Sequence, residues 1–258
     1  MMINRRRTAK QLDASDYLTL LRSYPWLSKN LIQEPEVNSN SRVLVLAPHH
    51  FDEIIGCGGT MCKLAKRGAH VKVIYLTDSS YDGTGPDRNL VPMVRTEAEE
   101  TLKKLQCFES EILDLPCLDI HCDRESVSKL YRKIEYYSPD LIFIPTLHER
   151  HPDNVMTGLL AAHALKEYSG CLTLYSYEVW GGLFPNLVVD ITNVMDEKIE
   201  AMQSLRSETE LKDEEQRLRE SNTFRLTTMQ AERYCEPFLR QEREEYVSVA
   251  RFRRPAGA

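Results

Sequence analysis

Two short stretches of the chain concentrate side chains that could do chemistry. Residues 48–53, PHHFDE, supply His49, His50, Asp52 and Glu53; residues 147–154, LHERHPDN, supply His148, Glu149, His151, Asp153 and Asn154. Neutral imidazole and carboxylate are suitable zinc ligands, and a catalytic zinc takes three protein ligands and keeps one position open. His49 and Asp52 are three residues apart, so a strand-to-helix turn between them lets both side chains converge on one point. The bland alternative is chance clustering of surface polar groups. Against it stands the recurrence of the pattern, each time directly after a buried-type apolar run, VLVLA and LIFIP. The GCGGT at 56–60 lacks the G-x-G-x-x-G spacing of a dinucleotide site, and it reads instead as close helix–strand packing.

Such groups need a scaffold, and the alternation of apolar runs with helix-period segments supplies one. Strands are expected at 43–47, 71–76, 112–115, 141–145, 172–177 and 187–191, with helices near 58–67, 94–106, 125–137 and 154–167. VLVLA, VKVIYL and LIFIP are nearly continuous apolar runs, as parallel strands covered on both faces require. The expected fold is therefore α/β: a Rossmann-like, doubly wound, mostly parallel sheet with helices on both faces. Ligands of such sheets bind beyond the carboxyl ends of the strands, where PHHFDE and HERHPDN fall.

The flanks differ in character. Residues 1–40 read as an amphipathic helix carrying Tyr17, Leu18, Leu20, Leu21, Trp26 and Leu27, followed by a polar linker, with the main domain at 41–258. Beyond 193, Met195, Ile199, Met202 and Leu205 form a stripe on an otherwise charged helix, then a solvated charged segment follows. AERYCEPFLRQEREEYVSV is expected to be a last helix with an aromatic face.

Composition narrows the function. The 258 residues carry a formal net charge of -6, which argues against a general nucleic-acid surface. No apolar stretch is long enough to span a bilayer or serve as a signal-peptide core, so a cytoplasmic protein is expected. Seven cysteines, none in a CxxC pair, suggest reduced, buried thiols rather than a disulfide framework. Cys117 and Cys122, with His121 between them, have a spacing of five and no second pair elsewhere, so they do not read as a zinc site.

APHHFDEIIGCGGT resembles the first motif of the PIG-L (LmbE-like) deacetylases, zinc-dependent enzymes that remove acetyl groups from N-acetylglucosamine-type substrates. YLTDSS, RTEAEETLKKL, HERHPDN and YEVWGGLFPNLVVDITNVMDEKIEAM are similar to later family segments, in order, from about residue 43 to 207. The resemblance implies metal ligands at His49, Asp52 and Asn154. It implies an oxyanion-stabilising histidine at His151 supported by Asp153, and a sugar pocket shaped by Asp78, Arg95 and Glu97. The implied substrate is a small amino-sugar conjugate, with no nucleic-acid partner and no membrane span.

Two positions depart from that pattern. The family's general base, the first of two paired aspartates, is Phe51 here, and its third zinc ligand, a histidine, is Asn154. A phenylalanine takes no proton from water, and loss of a general base costs about 10²–10⁴ in rate. An amide oxygen is a weaker zinc ligand than imidazole, so zinc or another divalent metal is expected to bind weakly or not at all. His50, next to the lost base, is the candidate replacement. A register slipped by one would instead make His50 and Glu53 ligands with Asp52 as base, although the fixed distance from Glu53 to GCGG opposes it. Two functions follow: an N-acetyl amino-sugar hydrolase with a remodelled site, or a catalytically degenerate relative that binds a sugar or a protein partner.

Overall fold

A computed structural model describes residues 33–79, 91–204, 211–224 and 233–250. The expected N-terminal helix lies outside the described residues, as does Leu205. Among the described residues, seven strands form one sheet in the order β3-β2-β1-β4-β5-β7-β6. They are β1 Arg42–Ala47, β2 His70–Thr77, β3 Glu109–Leu115, β4 Leu141–Pro145, β5 Thr173–Tyr177, β6 Leu187–Asp190 and β7 Cys235–Glu242. The helices are α1 Asp52–Lys66, α2 Val91–Lys104, α3 Arg124–Tyr137, α4 Pro152–Glu167, α5 Met195–Met202, α6 Leu211–Phe224 and α7 Arg243–Ala250.

The first five strands are parallel, β1 pairing with both β2 and β4. Because β1 has no polar position between Val43 and Ala47, it can be covered on both faces. Val43 and Val45 join one core with Ile54 and Met61 of α1, Leu102 of α2 and Ile199 of α5. Leu44 and Leu46 join the other with Leu130 of α3, Leu160 of α4 and Tyr246 of α7. The doubly wound, two-faced fold is as expected. From β1 the chain winds outward to β2 and β3, then returns to the far side of β1 for β4. The switch point between β1 and β4 is where such sheets hold ligands.

Three differences from the sequence expectation have physical causes. The helix expected at 58–67 begins at Asp52 and is kinked at Cys57, whose φ of -149° and ψ of 16° are not helical. The segment expected as one last helix is instead β7 followed by α7. Pro237 forbids a regular helix there, and Cys235–Glu242 pairs antiparallel with β5 and β6, closing the sheet. The expected sixth strand at 187–191 stops at Asp190, where the Asp190 carboxylate accepts from Thr192 N–H to start a turn.

The glycines of GCGGT do pack the helix tightly on the sheet. A Cβ on Gly56 would lie 2.1 Å from the Tyr177 ring, and one on Gly59 2.8 Å from Ile191. No helix among the described residues is long and apolar enough to cross a membrane.

Candidate functional site

The first half of the site is the turn from β1 into α1. Thr77, ending β2, donates through both its amide and its hydroxyl to Pro48 O, which fixes the turn to the neighbouring strand. Asp52 then folds back, and its Oδ2 accepts from the His49 amide and lies 3.1 Å from His49 Nδ1. The second half is the turn from β4 into α4. Pro152 occupies the first turn of α4, where a missing N–H costs nothing. His151 is the N-cap, with Nδ1 accepting from Asp153 N–H at 3.2 Å. An accepting Nδ1 leaves the proton of the neutral ring on Nε2.

The two halves meet at His49. Its Nε2 lies 2.9 Å from Asp153 Oδ2, so one imidazole is held between two carboxylates from different strand ends. Burial alone would lower the His49 pKa. The hydrogen bonds to Asp153 and Asp52 outweigh that and raise it well above the ordinary value. Asp153, for its part, is held below the usual carboxylate range: burial pushes it up, but His49 and the Leu118 amide pull it down further. His151, edge-on to His49 with ring centroids 4.9 Å apart, is shifted down by burial and by the charge of His49. Ligand atoms of His49, His151 and Asp153 lie within 4.8 Å of one another, one group able to hold a metal ion.

This grouping differs from the ligand set that the resemblance implies. Asp52 touches the opposite nitrogen of His49 from Asp153, and the residues grouped with His49 are His151 and Asp153 rather than Asp52 and Asn154. Asn154 is fully buried, with neither amide atom hydrogen-bonded. One Asp52 oxygen is likewise buried without a hydrogen bond. Two carboxylates on one imidazole, one of them with a buried oxygen that has no hydrogen bond, suit a bound cation.

The remaining candidates divide. His50 is buried, 3.9 Å from Glu97 through its Nε2, and burial with the nearby His49 charge lowers its pKa to about 4. Glu97 is thus brought to the site's edge, and Asp78, partly exposed, ends the β2 side. Arg95 turns outward, 3.4 Å from Asp114, with half its side chain in solvent. Phe51 is partly buried and packs edge-on against both His50 and Trp180.

Two residues, Glu149 and Cys117, have places in the site that their sequence context did not assign to them. Glu149 accepts from the amides of Val179, Trp180 and Gly181, which fixes the loop that carries Trp180 over Phe51. Burial raises its pKa despite those bonds. Cys117, directly after β3, brings its Sγ to 3.6 Å from His49 Nε2. The available signal was position: LPCLD follows the carboxyl end of a parallel strand, as both motifs do.

Residues 44–165, which hold both halves of this geometry, match the PIG-L family, GlcNAc-PI de-N-acetylase. The likeness to characterised proteins extends beyond that segment. A diacetylchitobiose deacetylase of Thermococcus kodakarensis is 27% identical over 197 residues, covering 69% of this chain and 73% of that protein. The structure of N,N'-diacetylchitobiose deacetylase from Pyrococcus horikoshii superposes with a TM-score of 0.74 and 25% identity, over 92% of this chain and 97% of that one. GalB, the 4-carboxy-2-hydroxymuconate hydratase of Pseudomonas putida, shares the fold with a TM-score of 0.66 at 19% identity, over 78% and 95% of the two chains. A hydratase and deacetylases on one PIG-L-like fold mean that the chemistry must be argued from the site.

Proposed function

We propose that this chain is an amide hydrolase that removes an N-acetyl group from an amino sugar or glycosylated metabolite, using a remodelled PIG-L site. The observation that carries the reading is His49 clamped between Asp52 and Asp153 at the β1/β4 switch point. In this reading the unit is 41–258, a cytoplasmic enzyme preceded by the 1–40 extension. His49 and Asp153 would hold a divalent metal, and Asp52 orients the imidazole through Nδ1, as carboxylates behind metal-bound histidines do. This replaces the set His49, Asp52 and Asn154. When bound, the metal polarises the acyl carbonyl and lowers the pKa of its water.

The side chains of the domain supply the rest. His151, neutral because its pKa is lowered and tied through Nδ1 to the α4 amide, presents Nε2–H to the developing oxyanion. Phe51 offers no base. His50 is the remaining candidate, but an imidazole with a pKa near 4 has little driving force for proton abstraction at neutral pH. Turnover is therefore slow. Glu97, behind His50, and Asp78 flank the sugar, whereas Arg95 reaches it only by leaving Asp114.

The test is acetate release from N-acetylglucosamine and N,N'-diacetylchitobiose by the purified protein with zinc, and by His49→Ala. Slow release abolished in His49→Ala supports the reading. No release with any divalent metal, together with saturable sugar binding, would favour the second reading that Phe51 and Asn154 support: a binding protein without catalysis.

A further inference from the structure

The imidazole that the family pattern expects at Asn154 is missing, and the structure places a thiol beside His49. Cys117 lies in the turn after β3, a turn with an uncommon backbone: Leu118 has a φ of 61°, a left-handed conformation that a branched residue adopts only under constraint. That conformation directs Leu118 N–H onto Asp153 Oδ2 at 2.9 Å. It also presses the half-buried Cys117 into the site, with Sγ 3.6 Å from His49 Nε2 and 3.8 Å from Asp153 Oδ2. The triangle closes with the 2.9 Å between His49 Nε2 and Asp153 Oδ2.

Those three edges have the dimensions of a metal site. Tetrahedral zinc with Zn–S near 2.3 Å and Zn–N and Zn–O near 2.0–2.2 Å separates sulfur from nitrogen or oxygen by about 3.5 Å, and nitrogen from oxygen by about 3.3 Å. The donors already stand close to those separations, on side chains from three different strand ends. A second observation points the same way: the fully buried Asp52, on the other nitrogen of the same imidazole, keeps one oxygen without a hydrogen bond. The local charge is thus negative, and a cation relieves it. Cys122 does not share the role, since its Sγ faces Met156 O.

We propose that Cys117 is a metal ligand, its thiolate joining the His49 imidazole and the Asp153 carboxylate around a thiophilic divalent cation, with the fourth position open beside His151. On binding, the thiol proton and the proton shared by His49 Nε2 and Asp153 Oδ2 leave to solvent as metal–sulfur, metal–nitrogen and metal–oxygen bonds form, with no change of oxidation state. The thiolate substitutes for the imidazole lost at Asn154, so metal binding is firmer than that loss alone suggests. It also selects zinc or cobalt over magnesium, manganese or calcium, which prefer oxygen donors. The inference rests on the metal-hydrolase reading, but its test separates the two.

The metal-free full-length protein is titrated with cobalt(II) and followed by absorption. The expected result is a near-ultraviolet thiolate-to-cobalt charge-transfer band that saturates at one equivalent and is displaced by zinc. The band is kept in Cys122→Ser and lost in Cys117→Ser, which binds cobalt about 10–100-fold more weakly, the range seen even for outer ligand partners. A variant-free check is mass-spectrometric mapping of iodoacetamide labelling, in which zinc protects Cys117 of the wild-type protein. Cobalt binding without the band, or with unchanged affinity in Cys117→Ser, or labelling of Cys117 indifferent to zinc, overturns the proposal and leaves the hydrolase reading standing. No cobalt binding at all overturns both, whereas metal-dependent acetate release with no thiolate band overturns this one alone.

Discussion

Glu236 Oε1 accepts the amide of Gly59 at 2.8 Å, across 177 positions of sequence, at the point where α1 breaks. The kink at Cys57 removes the helical bonds that Gly59 and Thr60 would make to Ile55 and Gly56. Both amides go to the Glu236 carboxylate instead. Lys198 Nζ completes the repair: it donates to the freed Ile55 carbonyl at 2.9 Å, to Glu236 at 2.6 Å and to Asn222 at 3.0 Å. The second half of α1 thus starts as a fresh helix with an internal carboxylate at its N-terminus. GCGGT does bind an anion, but one supplied by the chain itself.

Lys198 and Glu236 are both fully buried, so the pair is weak evidence of net stability but costly to break. Lys198→Met leaves a buried carboxylate without its cation and an orphaned Ile55 carbonyl. The expected loss is about 3–5 kcal/mol in chemical denaturation. The double variant Lys198→Met with Glu236→Gln should lose less than Lys198→Met alone, because no charge is then stranded. A single variant within about 0.5 kcal/mol of wild type would contradict this account.

Gly56 and Gly58 differ by two positions and should respond oppositely to alanine. At Gly56 the new methyl would overlap the Tyr177 ring, which cannot swing aside because its hydroxyl donates to Leu46 O at 2.7 Å. Gly56→Ala should cost about 1–3 kcal/mol, the range for overpacked cores. At Gly58 the nearest atom would be 3.5 Å away, ordinary contact. Alanine there should be neutral or stabilise by up to about 1 kcal/mol through helix propensity. Thermal melts of the two variants check the contrast.

These contacts mark where the sequence was readable. The parallel core was legible because VLVLA and LIFIP have no polar position to expose, so only a doubly covered sheet accommodates them. The pairing of His49 with Asp52 was legible because a three-residue spacing across a turn is local. The approach of Asp153 to His49 followed from both turns being at one end of the sheet. What was not legible depends on distant partners. CEPFLRQE carries charges at helix-like spacing, and only the open edges of β5 and β6 make it a strand. Cys117 has only Cys122 nearby, at a spacing that does not suggest a metal pair, and its approach to His49 goes with the left-handed backbone at Leu118. Glu149 looked like part of a ligand cluster, yet its oxygens are taken by amides thirty residues on.

The outer edge of the sheet carries a pH-sensitive clamp. Glu111 on β3 is 3.1 Å from Lys72 on β2 and pairs with Lys133 on α3. Partial burial raises its pKa, but the two ammonium groups overcome that and hold it below the ordinary value. A depressed carboxylate pKa contributes stability above the unfolded pKa and loses it as pH falls through the folded one. Glu111→Gln should therefore melt lower than wild type at pH 7, with the gap closing as pH falls from about 5 to 3. Melting curves across that range decide it. A gap that stays constant with pH would show that the ion pairs are not its source.

Phe51 is the remaining test of how far the site has been remodelled. Its ring centroid lies 6.5 Å from that of His49 and 6.2 Å from that of Trp180, so an apolar ring stands beside the site's central imidazole. If the missing element is a base, restoring a carboxylate should restore rate. Phe51→Asp is expected to raise acetate release from N,N'-diacetylchitobiose by about 10²–10⁴-fold over wild type, the contribution typical of a positioned general base. The matched control is Phe51→Asn, which opens the same space and adds similar polarity but cannot accept the proton. Its rate should stay within a few-fold of wild type. The pH profile distinguishes the cases further: the aspartate variant should gain a carboxylate limb on the acid side that the asparagine variant lacks. Equal gains in both variants would mean that the ring blocks access rather than replacing a base. No gain in either, with metal bound, would place the lost function at Asn154 instead.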